Sequence, residues 1–165
     1  MRLIIVEDQL LILKKMREML SVMEEVELVT IRCNIEKESQ KIPYGEEGWY
    51  EINDEDELFD LIENNIGIIE NDHFLLDITL SKESQRDSEF EEYLSVRLAE
   101  YIENIKSDNV KIKFYTIPHG ISVRDFGEET KKWGTPIYRP ALEMEYGEEE
   151  AKDEFVKEIK EFCNV

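Results

Sequence analysis

The sequence predicts a single α/β domain, residues 1–165, in which a doubly wound parallel sheet of five strands is covered by helices on both faces. Short apolar runs alternate along the chain with longer amphipathic segments, which is the pattern of successive β-α-β units. The apolar runs lack polar alternation, and this is typical of parallel strands that are buried on both faces. No internal repeat divides the chain, and its length is sufficient for one full core.

The strands are predicted, in chain order, at Leu3–Val6, Glu27–Arg32, Phe74–Asp77, Lys111–Thr116 and Pro136–Tyr138. Apolar residues that recur every three or four positions predict the helices between them. The helices are expected at Gln9–Met23, from the acidic run Asp54–Glu57 onward, at Ser88–Ile105, at Val123–Lys132 and at Glu148–Phe162. The acidic run suits a first helical turn, because carboxylates there complement the helix dipole.

The segment 34–53, between the second strand and the second helix, is interpreted as an insertion. It is longer than the usual connection of about four to six residues. Its aromatic residues Trp49 and Tyr50 have two interpretations. They either belong to a hairpin that offers an exposed surface to a partner, or they pack on the edge of the sheet.

Polar residues stand where four of the five strands end. Glu7 and Asp8 follow the first strand, Asp77 closes the third, Thr116 the fourth, and Arg139 follows the fifth. Ligands of open α/β sheets bind at the carboxyl ends of strands. Adjacent acids there repel each other unless a cation or a proton shares the site. Each residue could instead be an ordinary strand-end polar group, with Asp8 as the N-cap of the first helix.

This arrangement resembles the receiver domain of bacterial two-component response regulators, from Leu3 to about Cys163. The resemblance implies a flavodoxin-like sheet of order 2-1-3-4-5. It also implies a Mg²⁺ site and a phosphoryl group accepted by Asp77. The implied metal ligands are Glu7, Asp8, Asp77 and the backbone carbonyl of Thr79, and the implied contacts to the phosphoryl oxygens come from Thr116 and Arg139.

Leu80-Ser81 stands where the receiver family has Met-Pro after the phosphoacceptor, and the sequence departs from the receiver pattern at three further positions. Arg139 stands where the family has lysine, and a planar guanidinium is not equivalent to a compact ammonium at a phosphate. Ile117 replaces a small residue, and Pro136 stands where an aromatic residue is expected. These departures favour an alternative function, a pseudo-receiver that acts as an interaction module without phosphorylation. A Mg²⁺-dependent phosphatase with Asp77 as nucleophile is a weaker alternative, because Thr79 stands where haloacid-dehalogenase-type enzymes have a second acid.

The composition limits the partners that this chain can have. It contains 40 acidic and 20 basic residues, for a formal charge of -20. Such a surface repels the phosphates of nucleic acids, whereas it attracts divalent cations and basic protein surfaces. The resemblance implies a sensor histidine kinase or phosphotransfer protein as donor and a downstream protein partner as receptor of the signal. Two lone cysteines, no secretory leader and no membrane-length apolar run lead us to expect a cytoplasmic protein.

Overall fold

The computed structural model describes residues 1–34, 47–78, 80, 93–106, 109–116, 131–138 and 149–165. The strands in these ranges are β1 (Arg2–Glu7), β2 (Glu27–Cys33), β3 (Trp49–Ile52), β4 (His73–Asp77), β5 (Lys111–Thr116) and β6 (Ile137–Tyr138). The α-helices there are α1 (Leu10–Leu20), α2 (Glu55–Asp60), α3 (Leu94–Ile105) and α4 (Glu149–Cys163). A turn of π-helix, Leu61–Ile66, continues α2, and a short 3₁₀ turn covers Lys131–Trp133.

The strands form one parallel sheet in the order β3-β2-β1-β4-β5-β6. The α/β class and the parallel sheet are therefore confirmed, whereas the prediction of five strands in the order 2-1-3-4-5 is wrong. The additional strand is β3, which pairs with β2 from Thr30↔Trp49 to Cys33↔Ile52 and forms an edge. The five strands that were predicted follow one another across the sheet as expected.

The segment 34–53 thus contributes its last residues to the sheet. Trp49 is buried, which agrees with packing on the sheet edge and not with an exposed aromatic surface. Residues 35–46 lie outside the described ranges, as do 88–92 of the predicted third helix and most of the predicted helix Val123–Lys132. The first helix is shorter than predicted, because it ends at Leu20.

Each face of the sheet has its own apolar core, because alternate strand residues point to opposite faces. The face toward α1 and α4 buries residues such as Leu3, Ile5, Ile12, Leu75, Tyr115, Phe155 and Ile159. The face toward α2 and α3 buries residues such as Ile4, Val6, Leu58, Phe74, Phe114, Leu98 and Ile102. Because helices cover both faces, most of the buried charged groups among the described residues lie at the two ends of the strands. No helix in the described ranges has both the length and the apolar character needed to cross a bilayer.

The amino ends of β1 and β4 are joined by a buried ion pair. Both carboxylate oxygens of Asp72 accept hydrogen bonds from Arg2, at 2.9 Å from Nε and 2.6 Å from Nη2. The guanidinium also donates to the carbonyls of Ile66 and Gly67. The Ile69 N–H donates to Asp72 in turn, so the turn before β4 is held by the same carboxylate.

His73 is buried at the start of β4. Its Nδ1 lies 2.9 Å from the carbonyl oxygen of Asn71, and its ring packs edge-on against Phe162 of α4, with centroids 5.1 Å apart. Burial lowers the pKa of His73, and the hydrogen bond to the Asn71 carbonyl only partly opposes this.

We expect His73 to make the fold less stable in mild acid. The unfolded chain takes up a proton on this imidazole at about pH 6.5, whereas the folded protein does so only at lower pH. The contribution of His73 to the free energy of unfolding should therefore be constant above neutral pH. It should become unfavourable as the pH falls below the pKa of the unfolded chain. Urea unfolding of the wild type and His73→Asn at about pH 7.5 and about pH 5.5 tests this, since asparagine can still donate to the Asn71 carbonyl but does not titrate. An equal change in both proteins would contradict the expectation.

Candidate metal centre

Three carboxylates meet at the carboxyl edge of the sheet. Glu7 is the last residue of β1, Asp8 follows it, and Asp77 is the last residue of the adjacent strand β4. One oxygen from each can be chosen such that all three lie within 4.8 Å of one another. The parallel register brings them together, because Val6 pairs with Leu76 and the next position places Glu7 beside Asp77.

Two of these three carboxylates are shielded from water. Glu7 is 0% exposed and Asp77 is 3% exposed, while Asp8 is partly exposed. Negative charges this close together in a low-dielectric setting repel each other strongly. A shared cation would relieve that repulsion, and a triad of carboxylate oxygens suits Mg²⁺, which prefers hard oxygen ligands and keeps several waters.

Glu7 is held rigidly at the junction between β1 and α1. Its Oε1 accepts hydrogen bonds from the backbone N–H groups of Asp8 and Gln9, both at 3.0 Å. The N-cap of α1 is Gln9, whose side chain makes no capping hydrogen bond. The alternative interpretation of Asp8 as N-cap is therefore wrong.

Tyr115 is a site residue that the sequence analysis missed. Its hydroxyl donates to Glu7 Oε2 at 2.8 Å, and its ring is fully buried. It pairs in register with Asp77, so Glu7, Asp77 and Tyr115 form one row across β1, β4 and β5. Its position in an apolar strand predicts that the hydroxyl is buried and has a hydrogen-bond partner, but it does not indicate which residue that partner is.

The other predicted site residues are placed as follows. Thr116 is the last residue of β5, buried at the same edge of the sheet, one strand beyond Asp77. Thr79 and Arg139 lie outside the described ranges, and so does Ile117. The roles of Thr79 in metal binding and of Arg139 in phosphoryl contact therefore remain predictions.

Glu7, Asp8 and Asp77 together are called the acidic triad below. Arg32 and Cys33, at the end of β2, lie beside it. The Arg32 guanidinium pairs with the Glu51 carboxylate at 3.4 Å. Burial raises the pKa of the Cys33 thiol, and the negative charges of Asp8 and Glu7 raise it further. A thiol that stays protonated is a poor metal ligand, so the site offers oxygen ligands that favour a hard cation.

No protein-family model matches this sequence, and searches of curated proteins and of solved structures also give no match. The resemblance to receiver domains therefore depends on the residues at the strand ends.

Proposed function

We propose that this protein is a Mg²⁺-dependent phosphoacceptor of a two-component phosphorelay, with Asp77 as the residue that is phosphorylated. Its donor would be a sensor histidine kinase or a phosphotransfer protein, and its output would be contact with a downstream protein in the cytoplasm. The observation that carries the proposal is the convergence of Glu7, Asp8 and Asp77 at one edge of the sheet. The acidic surface supports it as well, because it favours basic protein partners over nucleic acids.

The reaction follows from the chemistry of a carboxylate nucleophile. An Asp77 oxygen forms a bond to phosphorus as the bond from phosphorus to the leaving atom of the donor breaks, and that atom keeps the electron pair. The leaving atom is an imidazole nitrogen for a phosphohistidine donor and a carboxylate oxygen for acetyl phosphate. The attacking carboxylate carries no proton, so the step needs no general base. Bound Mg²⁺ would supply positive charge to the phosphoryl oxygens. Thr116, and Arg139 if it reaches the site, would supply donors to the same oxygens.

We expect the protein to gain one phosphoryl group when it is incubated with acetyl phosphate and Mg²⁺, with acetate as the leaving group. Intact-mass spectrometry measures the gain. Asp77→Asn should gain none, because the amide is not a nucleophile toward phosphorus under these conditions. Asp8→Asn should gain markedly less, because it removes one of the metal ligands.

The matched control is Asp153→Asn, an exposed carboxylate in α4, which should take up as much phosphoryl group as the wild type. Uptake by Asp77→Asn equal to that of the wild type would contradict the assignment of Asp77. No uptake by the wild type, over a wide range of Mg²⁺ concentrations, would contradict phosphoacceptance itself.

The burial of Asp77 favours a second candidate function, the non-phosphorylated pseudo-receiver. At 3% exposure its carboxylate offers a phosphoryl donor little access. Such a module would retain the fold and bind its partners without phosphorylation. The experiment above separates the two functions, because a pseudo-receiver keeps its mass unchanged.

A further inference from the structure

Tyr115 touches the acidic triad in a way that the proposed function does not use. Its side chain starts on β5 and reaches β1, so it crosses the intervening strand β4. The hydroxyl lies 2.8 Å from Glu7 Oε2 and 3.5 Å from the Val6 carbonyl oxygen. Its own carbonyl accepts a hydrogen bond from the N–H of Ile78, the residue after Asp77. Tyr115 therefore contacts both strands that carry the acids.

The hydrogen bonds of Glu7 show what Tyr115 contributes. A carboxylate has about four lone-pair positions. The N–H groups of Asp8 and Gln9 use Oε1, and Tyr115 uses one position of Oε2. The two backbone donors already fix the direction of the carboxylate, because they belong to the turn that begins α1. The distinct contribution of Tyr115 is to stabilise the negative charge on the oxygen that remains open to a cation.

We propose that Tyr115 weakens the binding of a divalent cation at the acidic triad by donating its hydroxyl hydrogen bond to Glu7. A hydrogen bond to a carboxylate is strongest when the carboxylate carries its full charge, and a bound cation withdraws part of that charge. The hydroxyl therefore stabilises the cation-free site more than the cation-bound site. Tyr115 acts on the cation only through Glu7, and its hydrogen bond keeps the bound cation readily exchangeable. The inference rests on the proposed function only in taking the triad as a metal site.

The test is Tyr115→Phe, which keeps the buried ring and removes only the donor. We expect Mg²⁺ to bind this variant about fivefold more tightly than the wild type, at the low end of the usual coupling between two groups. Isothermal titration calorimetry with Mg²⁺ measures the affinity. The matched control is Tyr101→Phe, because Tyr101 of α3 also donates to a carboxylate, that of Glu63 in the π-helical turn after α2, but this exposed pair includes no residue of the triad. Its affinity for Mg²⁺ should equal that of the wild type.

A double-mutant cycle with Glu7→Gln shows whether the effect passes through Glu7. Glutamine keeps an oxygen for the two backbone N–H groups but has no charge for Tyr115 to stabilise. In the Glu7→Gln background, Tyr115→Phe should leave the Mg²⁺ affinity unchanged. A purely structural tyrosine would change the melting temperature in both backgrounds without this dependence on Glu7.

Several outcomes would overturn the proposal. They are an unchanged or weaker Mg²⁺ affinity in Tyr115→Phe, an equal gain in the Glu7→Gln background, and no Mg²⁺ binding by any variant. If Tyr115→Phe does not fold, a measurement on the wild type can still overturn the proposal. Mg²⁺ should then perturb the near-ultraviolet absorption of a buried tyrosine in the wild type but not in Asp8→Asn, and its absence overturns the proposal.

Phosphoryl uptake is measured separately, by mass, so the two proposals can fail independently. Tighter Mg²⁺ binding in Tyr115→Phe without phosphoryl uptake would support the role of Tyr115 and contradict phosphoacceptance. Uptake without any change in Mg²⁺ affinity would contradict the role of Tyr115 alone.

Discussion

Replacing Asp72 with alanine should lower the free energy of unfolding by about 3–5 kcal/mol, because it leaves a largely buried guanidinium without its counter-charge. The Arg2 side chain is 14% exposed and that of Asp72 is 0% exposed, so water replaces the lost partner only in part. The substitution also removes the acceptor for the Ile69 N–H. Urea unfolding followed by circular dichroism measures the loss.

The chain offers a matched control for this prediction in an exposed ion pair. Arg97 donates to both oxygens of Glu55 at 2.8 Å, but their side chains are 42% and 38% exposed. Glu55→Ala should therefore cost less than about 1 kcal/mol, since water and salt screen the pair. Equal losses in the two variants would show that burial of the Arg2–Asp72 pair has no energetic consequence.

Trp49→Ala should destabilise the protein by about 3–5 kcal/mol, the usual cost of removing a large buried aromatic side chain. Trp49 begins β3 and packs in the core toward α1 and α4, while Ile52 at the other end of the strand packs toward α2 and α3. Its indole N–H also donates to Glu51 at 3.0 Å. The free energy of unfolding in urea is again the measurement.

The Trp49→Ala result shows whether the end of the segment 34–53 is part of the cooperatively folded unit or an insertion that the fold does not need. The control is Val22→Ala, because Val22 is 60% exposed and its truncation should change stability by less than about 0.5 kcal/mol. If Trp49→Ala were as stable as this control, β3 would be a dispensable addition to the sheet, as the term insertion implies. A large loss makes β3 part of the cooperative fold.

The fold could be predicted where the signal was local. The apolar runs that became β1, β4 and β5 were long enough to identify. The structure adds one residue at each end of β1 and one at the start of β4, and the bounds of β5 are those predicted. The segment that forms β3 was considered only as part of a possible hairpin, and its parallel pairing with β2 was not predicted. It has four residues, and its partner β2 lies beyond residues 35–46 in the chain, so its pairing is a non-local property.

The same distinction between local and non-local signals explains why the acids of the candidate site could be predicted from the sequence and its tyrosine could not. Glu7, Asp8 and Asp77 could be chosen because a strand end is recognisable from the residues around it. Tyr115 could not, because a tyrosine in an apolar strand is most simply interpreted as core. Its polar role depends on a contact with Glu7, 108 positions away in the chain. Arg32 and Glu51 were missed likewise, since their ion pair exists only once β3 has joined the sheet.

Side-chain contacts hold the central strands β1 and β4 at both of their ends, and this affects which part of the sheet unfolds locally first. At the amino ends the Arg2–Asp72 pair holds them, and at the carboxyl ends the hydroxyl of Tyr115 crosses β4 to reach β1. Transient opening of a native protein begins where buried contacts and hydrogen bonds are fewest. Among the described strands of this sheet, the edge strand β6 is the shortest, with two residues. Fraying there leaves the register between Glu7 and Asp77 intact, so we expect the backbone amides of these two residues to exchange more slowly than those of β6.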